Sequence, residues 1–185
     1  GDYLGDGAGR GGIQDHPLAV PILEKGLRRG EPLYLVGGAL RDMALGVVPR
    51  DLDFVTEHPF EMAQEFAGRY GSKVVPLGKE ATSTYRIPLE SFCLDWVGLT
   101  GGSIEADMRR RDFTVNAIAF DPDLREFIDP TGGFEDLKES RLRMASSSAF
   151  QDDPVRIVKV FRMLALFPQF WLDPLTEAAV LDQRE

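Results

Sequence analysis

Two aspartates one residue apart, Asp51 and Asp53, close a stretch that opens with a Gly37-Gly38 pair and an Arg41-Asp42 pair, LYLVGGALRDMALGVVPRDLDFVT. A β-strand alternates its side chains between two faces, so Asp51 and Asp53 point one way while Leu52 and Phe54 point the other. Two carboxylates projecting together from an apolar strand repel each other unless a cation lies between them. Mg²⁺ is the natural occupant, because it takes oxygen ligands and completes its shell with water and substrate phosphates. Leu33–Val36 reads as a short buried strand and residues 39–45 as the helix after it, with Gly46 as the stop. Gly37-Gly38 then lies at a strand-to-helix turn, where backbone N–H groups and the helix dipole favour a phosphate. A metal site beside a phosphate cradle is the equipment of nucleotidyl transfer. Neither a P-loop nor a G-x-G-x-x-G pattern follows the strand, so those phosphate-binding readings are not supported.

Three further groups join this pair. Asp95 sits in a strand over residues 92–97, on the face of Cys93 and Val97, as an acid among apolar neighbours. A buried carboxylate there needs a cation or a proton. If its strand neighbours that of Asp51 and Asp53, the three acids form one cluster; the competing reading is a salt bridge from Asp95 to an arginine. Arg109, Arg110 and Arg111 make a positive run suited to a triphosphate, since guanidinium binds phosphate oxygens bidentately. Asp112 and Asn116 are neighbours if this piece is helical, and could hydrogen-bond a ribose. Last, Asp153 can cap a helix with Pro154 in its first turn. Arg156, Lys159 and Met163 share one stripe of that helix, with Arg162 beside it. Ile157, Val160, Phe161 and Leu164 form its packing face. Asp153 and Arg156 together offer an acceptor and donors, as the edge of a base requires.

The elements that carry these groups are also legible. Phe60, Ala63, Phe66, Ala67 and Tyr70 recur at helical spacing, and Gly71 ends that helix. Residues 73–77, 84–89 and 92–97 are β-rich runs. The order strand, helix, strand, helix and then three strands predicts an α+β fold with a mixed sheet and helices on one side. Residues 117–120 and 125–128 read as a hairpin around Asp121-Pro122-Asp123-Leu124. The polar stretch at 78–83, GKEATS, is expected to form a loop near the site. From Asp152 onward the texture is helical, which puts a boundary at residues 146–148.

The chain has 185 residues, 43% of them hydrophobic, enough for a real core. A net charge of −9 argues against a generally basic nucleic-acid-coating surface. One cysteine, Cys93, rules out a disulfide framework and a zinc cluster. No run reaches transmembrane length and no secretory signal is visible, which fits a cytoplasmic protein. The Gly-rich start, residues 1–14, is expected to be a disordered tail, and the end within a helix at 174–185 suggests a fragment.

Three blocks in this order resemble one family. VGGALRDMALGVVPRDLDFVT, RRRDFTVNA and DDPVRIVKVFR are similar to motifs of the class II tRNA nucleotidyltransferases, or CCA-adding enzymes, and bacterial poly(A) polymerases. The resemblance implies a polymerase-β-like nucleotidyltransferase head, residues 15–147, with a mixed β-sheet flanked by helices. It is followed by the start of an all-helical neck, residues 148–185. It implies Asp51 and Asp53 as ligands of two Mg²⁺ ions and Asp95 as the third catalytic carboxylate. Gly37, Gly38 and Arg41 become triphosphate contacts, and Arg111, Asp112 and Asn116 a ribose-side wall. Asp153 and Arg156 would read the base, with Lys159 beside them. Asp152 stands where the family has Glu, and Lys159 where a second arginine is usual. The implied reaction adds nucleotides from ATP, and also CTP, to an RNA 3′ end, tRNA above all. CCA addition, A addition and poly(A) synthesis stay open. A non-catalytic nucleotide-binding or regulatory module on the same fold is the alternative.

Overall fold

The computed structural model describes residues 12–78 and 84–182, with backbone alone at 28 and 29. Residues 1–11, 79–83 and 183–185, on which the expected tail, the expected loop and the end of the expected C-terminal helix fall in whole or in part, lie outside the described residues. The helices are α1 (Ala19–Arg29), α2 (Gly38–Ala44), α3 (Pro59–Tyr70), α4 (Ile104–Arg109), α5 (Gly133–Lys138), α6 (Ala149–Asp152), α7 (Val155–Leu166) and α8 (Pro174–Asp182). The strands are β1 (Leu33–Val36), β2 (Asp51–Thr56), β3 (Val75–Leu77), β4 (Thr84–Pro88), β5 (Cys93–Gly98), β6 (Ala119–Asp121), β7 (Glu126–Ile128), β8 (Arg141–Leu142) and β9 (Trp171–Leu172).

Seven strands form one mixed sheet in the order β3-β4-β5-β2-β1-β6-β7. β2 and β5 pair in parallel and the other neighbours are antiparallel. Strand alternation sorts the two faces as the sequence predicts. Leu35, Leu52, Phe54, Leu94 and Trp96 join the large core with residues of α1, α2 and α3. Trp96 stacks on Phe54 and Phe66 at 4.8 and 5.0 Å between ring centroids, which locks β2, β5 and α3 together. α3 starts with Pro59 in its first turn and stops at the left-handed Gly71, both as its sequence requires.

Helices do not keep to one side. Ile104 and Met108 of α4 cover Val36 and Val55 on the opposite face, because that end of the site-bearing face is apolar and needs a lid. The segment after Asp152 is not purely helical either. β9 pairs in parallel with β8, Arg141 with Trp171 and Leu142 with Leu172, and this seam ties the C-terminal helices to the preceding body. The Trp171 indole N–H also donates to the Glu139 carbonyl at 3.0 Å.

Candidate functional site

The parallel pairing of β2 with β5 sets the acid cluster. Its register puts Asp51 beside Cys93 and Asp53 beside Asp95, so the three carboxylates share one face. Asp51 is exposed, Asp53 half-buried and Asp95 buried. Asp95 has a partner: Arg86, its cross-strand neighbour on β4, grips it bidentately through Nε at 2.8 Å and Nη2 at 2.6 Å. The salt-bridge reading of Asp95 and its membership of the cluster are therefore both realised. Asp53 has no ion pair among the described residues. Burial, then the charge of Asp95, push its carboxyl up to about 6 despite Arg111, with a further push from Asp51.

Gly37 closes the other side. It follows β1 with φ 74° and ψ −135°, a conformation closed to other residues. A Cβ there would lie 3.1 Å from the Arg111 guanidinium and 3.9 Å from an Asp53 oxygen. The Gly37 N–H is taken by the Ile118 carbonyl at 2.9 Å. Gly38, in the first turn of α2, has an N–H without an intrahelical acceptor. The glycine turn therefore offers a phosphate fewer donors than its sequence suggests.

Arg41 is a junction. It donates to Asp42 from Nε and Nη2 at 2.9 and 2.7 Å, and to Asn116 from Nη1 at 2.6 Å. It also approaches Met163 Sδ at 3.6 Å and lies over the Phe167 ring at 4.9 Å. Asn116 donates in turn to Asp112 at 3.2 Å, and Lys159 of α7 reaches the other Asp112 oxygen at 3.3 Å. Asp112 and Asn116 meet as expected, but not on an α-helix. Thr114–Asn116 is a single 3₁₀ turn, and Asp112 accepts the Phe113 N–H at 2.8 Å to set its start. A polar relay thus runs from α2 through the RRRDFTVNA segment to α7.

Two adjoining cavities, which share Gly38, Arg41 and Asp53, form the cleft. One, of about 410 Å³, is bounded by Arg50, Asp51 and Asp53 together with Val47 and Val48. The other, about 290 Å³, adds Arg111, Asp112, Asn116, Lys159 and Arg162. The arginine run does not act as one cluster. Arg111 faces the cleft, braced by the buried Asp107 at 3.3 Å, while Arg109 reaches away to the Pro130 carbonyl at 3.0 Å. Successive side chains at the end of a helix diverge by about 100°, which follows from 3.6 residues per turn.

Asp153 and Arg156 line neither cavity. The Arg156 guanidinium donates to the carbonyls of Arg110, Arg111 and Ala149 at 2.9, 3.4 and 3.1 Å, with Asp153 at 3.7 Å. α7 is also turned relative to its expected faces. Met163 is buried, as is Val160, whereas Phe161 is 58% exposed. Sequence reasoning placed Arg162 only beside the polar stripe and gave Arg50 no role. The available signals were Arg50's adjacency to Asp51 and Arg162's spacing three residues from Lys159.

Asp51 and Asp53 supply hard carboxylate oxygens, and like-charge repulsion around Asp53 is what a divalent cation would relieve. The donor set fits a metal that completes its shell from substrate and water. Among the described residues no helix is long and apolar enough to cross a membrane.

Comparisons with known proteins agree with this fold. The chain is 38% identical over 149 residues to the CC-adding tRNA nucleotidyltransferase of Synechocystis, a match that spans 79% of the chain and 35% of that protein. It is 40% identical over 146 residues to the A-adding tRNA nucleotidyltransferase of Deinococcus radiodurans, covering 79% of the chain and 33% of the relative. Among solved structures, the Thermotoga maritima CCA-adding enzyme complexed with tRNA superposes with a TM-score of 0.75 at 30% identity, over 88% of this chain and 40% of that one. A tRNA-processing enzyme with CTP superposes with a TM-score of 0.75 at 32% identity, over 87% of this chain and 45% of that one. The chain spans about a third of the length of these two sequence relatives. The poly A polymerase head domain family matches residues 33–143, and the chain belongs to that family.

Proposed function

We propose that residues 15–147 are the catalytic head, and residues 148–185 the start of a helical neck, of a cytoplasmic RNA nucleotidyltransferase. It adds nucleotides from ATP and CTP to tRNA 3′ ends, with two Mg²⁺ ions held by Asp51 and Asp53. The observation that carries this reading is the β2–β5 register. It gathers Asp51, Asp53 and Asp95 on one face beside the Gly37-Gly38 turn and the cavity that Gly38 and Arg41 line. The kinds of relative support the RNA substrate, since they are tRNA nucleotidyltransferases and their solved neighbours hold tRNA and CTP.

Bound Mg²⁺ would supply Lewis acidity, lowering the pKa of the attacking hydroxyl and neutralising charge on the departing pyrophosphate. The chain's own residues orient and bind. Asp95, fixed by Arg86, completes the acid cluster and keeps Asp53 in a strongly negative field. The Gly38 N–H and the remaining Arg41 N–H border the phosphates. Arg111, Asp112 and Asn116 form the wall toward the ribose, with Lys159 and Arg162 beyond them toward the base. Base reading by Asp153 and Arg156 requires Arg156 to exchange its carbonyl partners for the base edge. The RNA 3′-hydroxyl releases its proton to solvent as its oxygen bonds to the α-phosphorus, the bond to the α–β bridging oxygen breaks, and pyrophosphate leaves with that electron pair.

The test is transfer from α-labelled CTP and ATP to a tRNA transcript lacking its 3′-terminal CCA. The expected result is Mg²⁺-dependent labelling with one pyrophosphate released per nucleotide, abolished in Asp51→Asn. Tight nucleotide binding without any transfer would instead favour the non-catalytic module.

A further inference from the structure

Two arginines line the first cavity, Arg41 and Arg50, together with Asp51 and Asp53. Their circumstances differ. Of the five N–H donors an arginine carries, Arg41 has committed four: two to Asp42, one to Asn116 and one toward Met163. Its stack on Phe167 fixes the plane of the group as well. Arg50, in contrast, makes no side-chain hydrogen bond or ion pair among the described residues, even with the adjacent Asp51. Its main chain is anchored: the Arg50 carbonyl accepts the Cys93 N–H at 2.8 Å, one step before β2 begins. A fixed backbone thus carries an uncommitted cation at the edge of the acid pair.

The wall around it is mixed, with two valines beside Asp42, Asp51 and Asp53. Val47 and Val48, 50% and 52% exposed, line the same cavity. Arg162, which also makes no side-chain hydrogen bond or ion pair among the described residues, lies in the second cavity with Asp112 and Lys159. Only the first cavity combines an unpaired arginine with both candidate metal ligands.

We infer that Arg50 binds the β- and γ-phosphates of the incoming nucleotide and, after transfer, the pyrophosphate. This rests on the nucleotidyl-transfer reading of the same cleft. A planar fork matches two phosphate oxygens at once. Charge that accumulates on pyrophosphate as its bond to the α-phosphorus breaks falls within reach of the one arginine there with all its donors to give. Arg41 then acts chiefly as a brace between α2 and α7, with a single N–H left for phosphate.

Calorimetric titration of the chain with Mg²⁺ plus pyrophosphate, ATP or AMP tests the assignment, using the wild type, Arg50→Gln and Arg50→Lys. Loss of one charge-assisted bidentate contact should weaken pyrophosphate and ATP alike by about tenfold in Arg50→Gln. AMP, which lacks the outer phosphates, should stay within about twofold, and Arg50→Lys should recover part of the loss. Wild-type binding with unchanged pyrophosphate and ATP affinity in Arg50→Gln would overturn the role of Arg50 alone. Equal weakening of AMP would also overturn it. A wild type that binds neither ATP nor pyrophosphate would overturn the nucleotidyl-transfer reading along with it.

Discussion

Asp53 lies in β2 with Asp95 beside it in β5 and Asp51 on the same face, and burial, with repulsion from Asp95 and then Asp51 added to it, lifts its carboxyl to about 6. A residue so placed costs the apo protein stability that a bound cation would restore. Asp53→Asn should therefore stabilise the metal-free chain by about 1–2 kcal/mol, raising Tm by several degrees. Thermal unfolding in EDTA checks this, and an unchanged or lower Tm would count against the strained-acid account. His16 is a second case. Its ring accepts the Leu18 N–H at 3.2 Å through Nδ1, which assigns the proton to Nε2, 3.0 Å from the Pro49 carbonyl. Burial lowers its pKa below 6.5, only partly offset by the Pro49 bond. The unfolded chain then takes up the proton first, so this contribution is full above about 6.5 and is lost as pH falls through the folded-state value. Urea unfolding of wild type and His16→Gln between pH 5 and 8 should show the two curves converging as the pH falls; a constant gap would contradict it. Spacing pointed to a repelling acid pair, but the burial of Asp53 and the His16 contact were not legible in the sequence. Asp51 and Asp53 announced themselves by spacing, but the load on Asp53 comes from a strand some forty residues away, and His16 meets Pro49 only through the fold.

At the scale of elements, the segment from Asp112 to Asn116 owes its shape to α5 rather than to its own propensity. Asp136, fully buried in α5, accepts from Thr114 at 2.5 Å, Arg141 at 2.6 Å and Arg143 at 2.9 Å. Gly133 permits the approach, since a Cβ there would meet the Thr114 carbonyl at 2.2 Å. Removing the carboxylate leaves Arg141 and Arg143 without their shared partner, so Asp136→Ala should cost about 3 kcal/mol in urea unfolding. A cost below about 1 kcal/mol would mean the network does not hold this segment. Arg156 plays the matching part for α7, pinning it to the carbonyls of Arg110 and Arg111. Arg156→Met should raise amide exchange in α7 while β2 and β5 keep their protection; unchanged exchange in α7 would remove the pin. Periodicity found α3 and the strands because core burial repeats with their local spacing. It misjudged α7, where Met163 turns inward toward Arg41 and Phe161 outward, because the helix packs on a polar relay that no single-sequence pattern encodes. The pairing of β8 with β9 escaped for a similar reason: two-residue strands carry no alternation to detect.

Over the whole molecule, a net charge of −9 coexists with a cleft walled by Arg41, Arg50, Arg111, Lys159 and Arg162. Under the proposed function, this local concentration of cations would let an acidic chain hold a polyanion, and the carboxylates lining the same cleft would take up a metal. The α+β order and the three motif blocks were legible because each is contiguous in sequence; how the blocks meet around Gly38, Arg41 and Asp53 needed the sheet register. The measurement that bears most directly on the account is calorimetric binding of ATP to this chain with Mg²⁺, repeated in EDTA and with Asp53→Asn. Binding with Mg²⁺ that is lost on chelation and in the variant is the result expected. ATP affinity indifferent to both would contradict a carboxylate-held metal as the centre of this site.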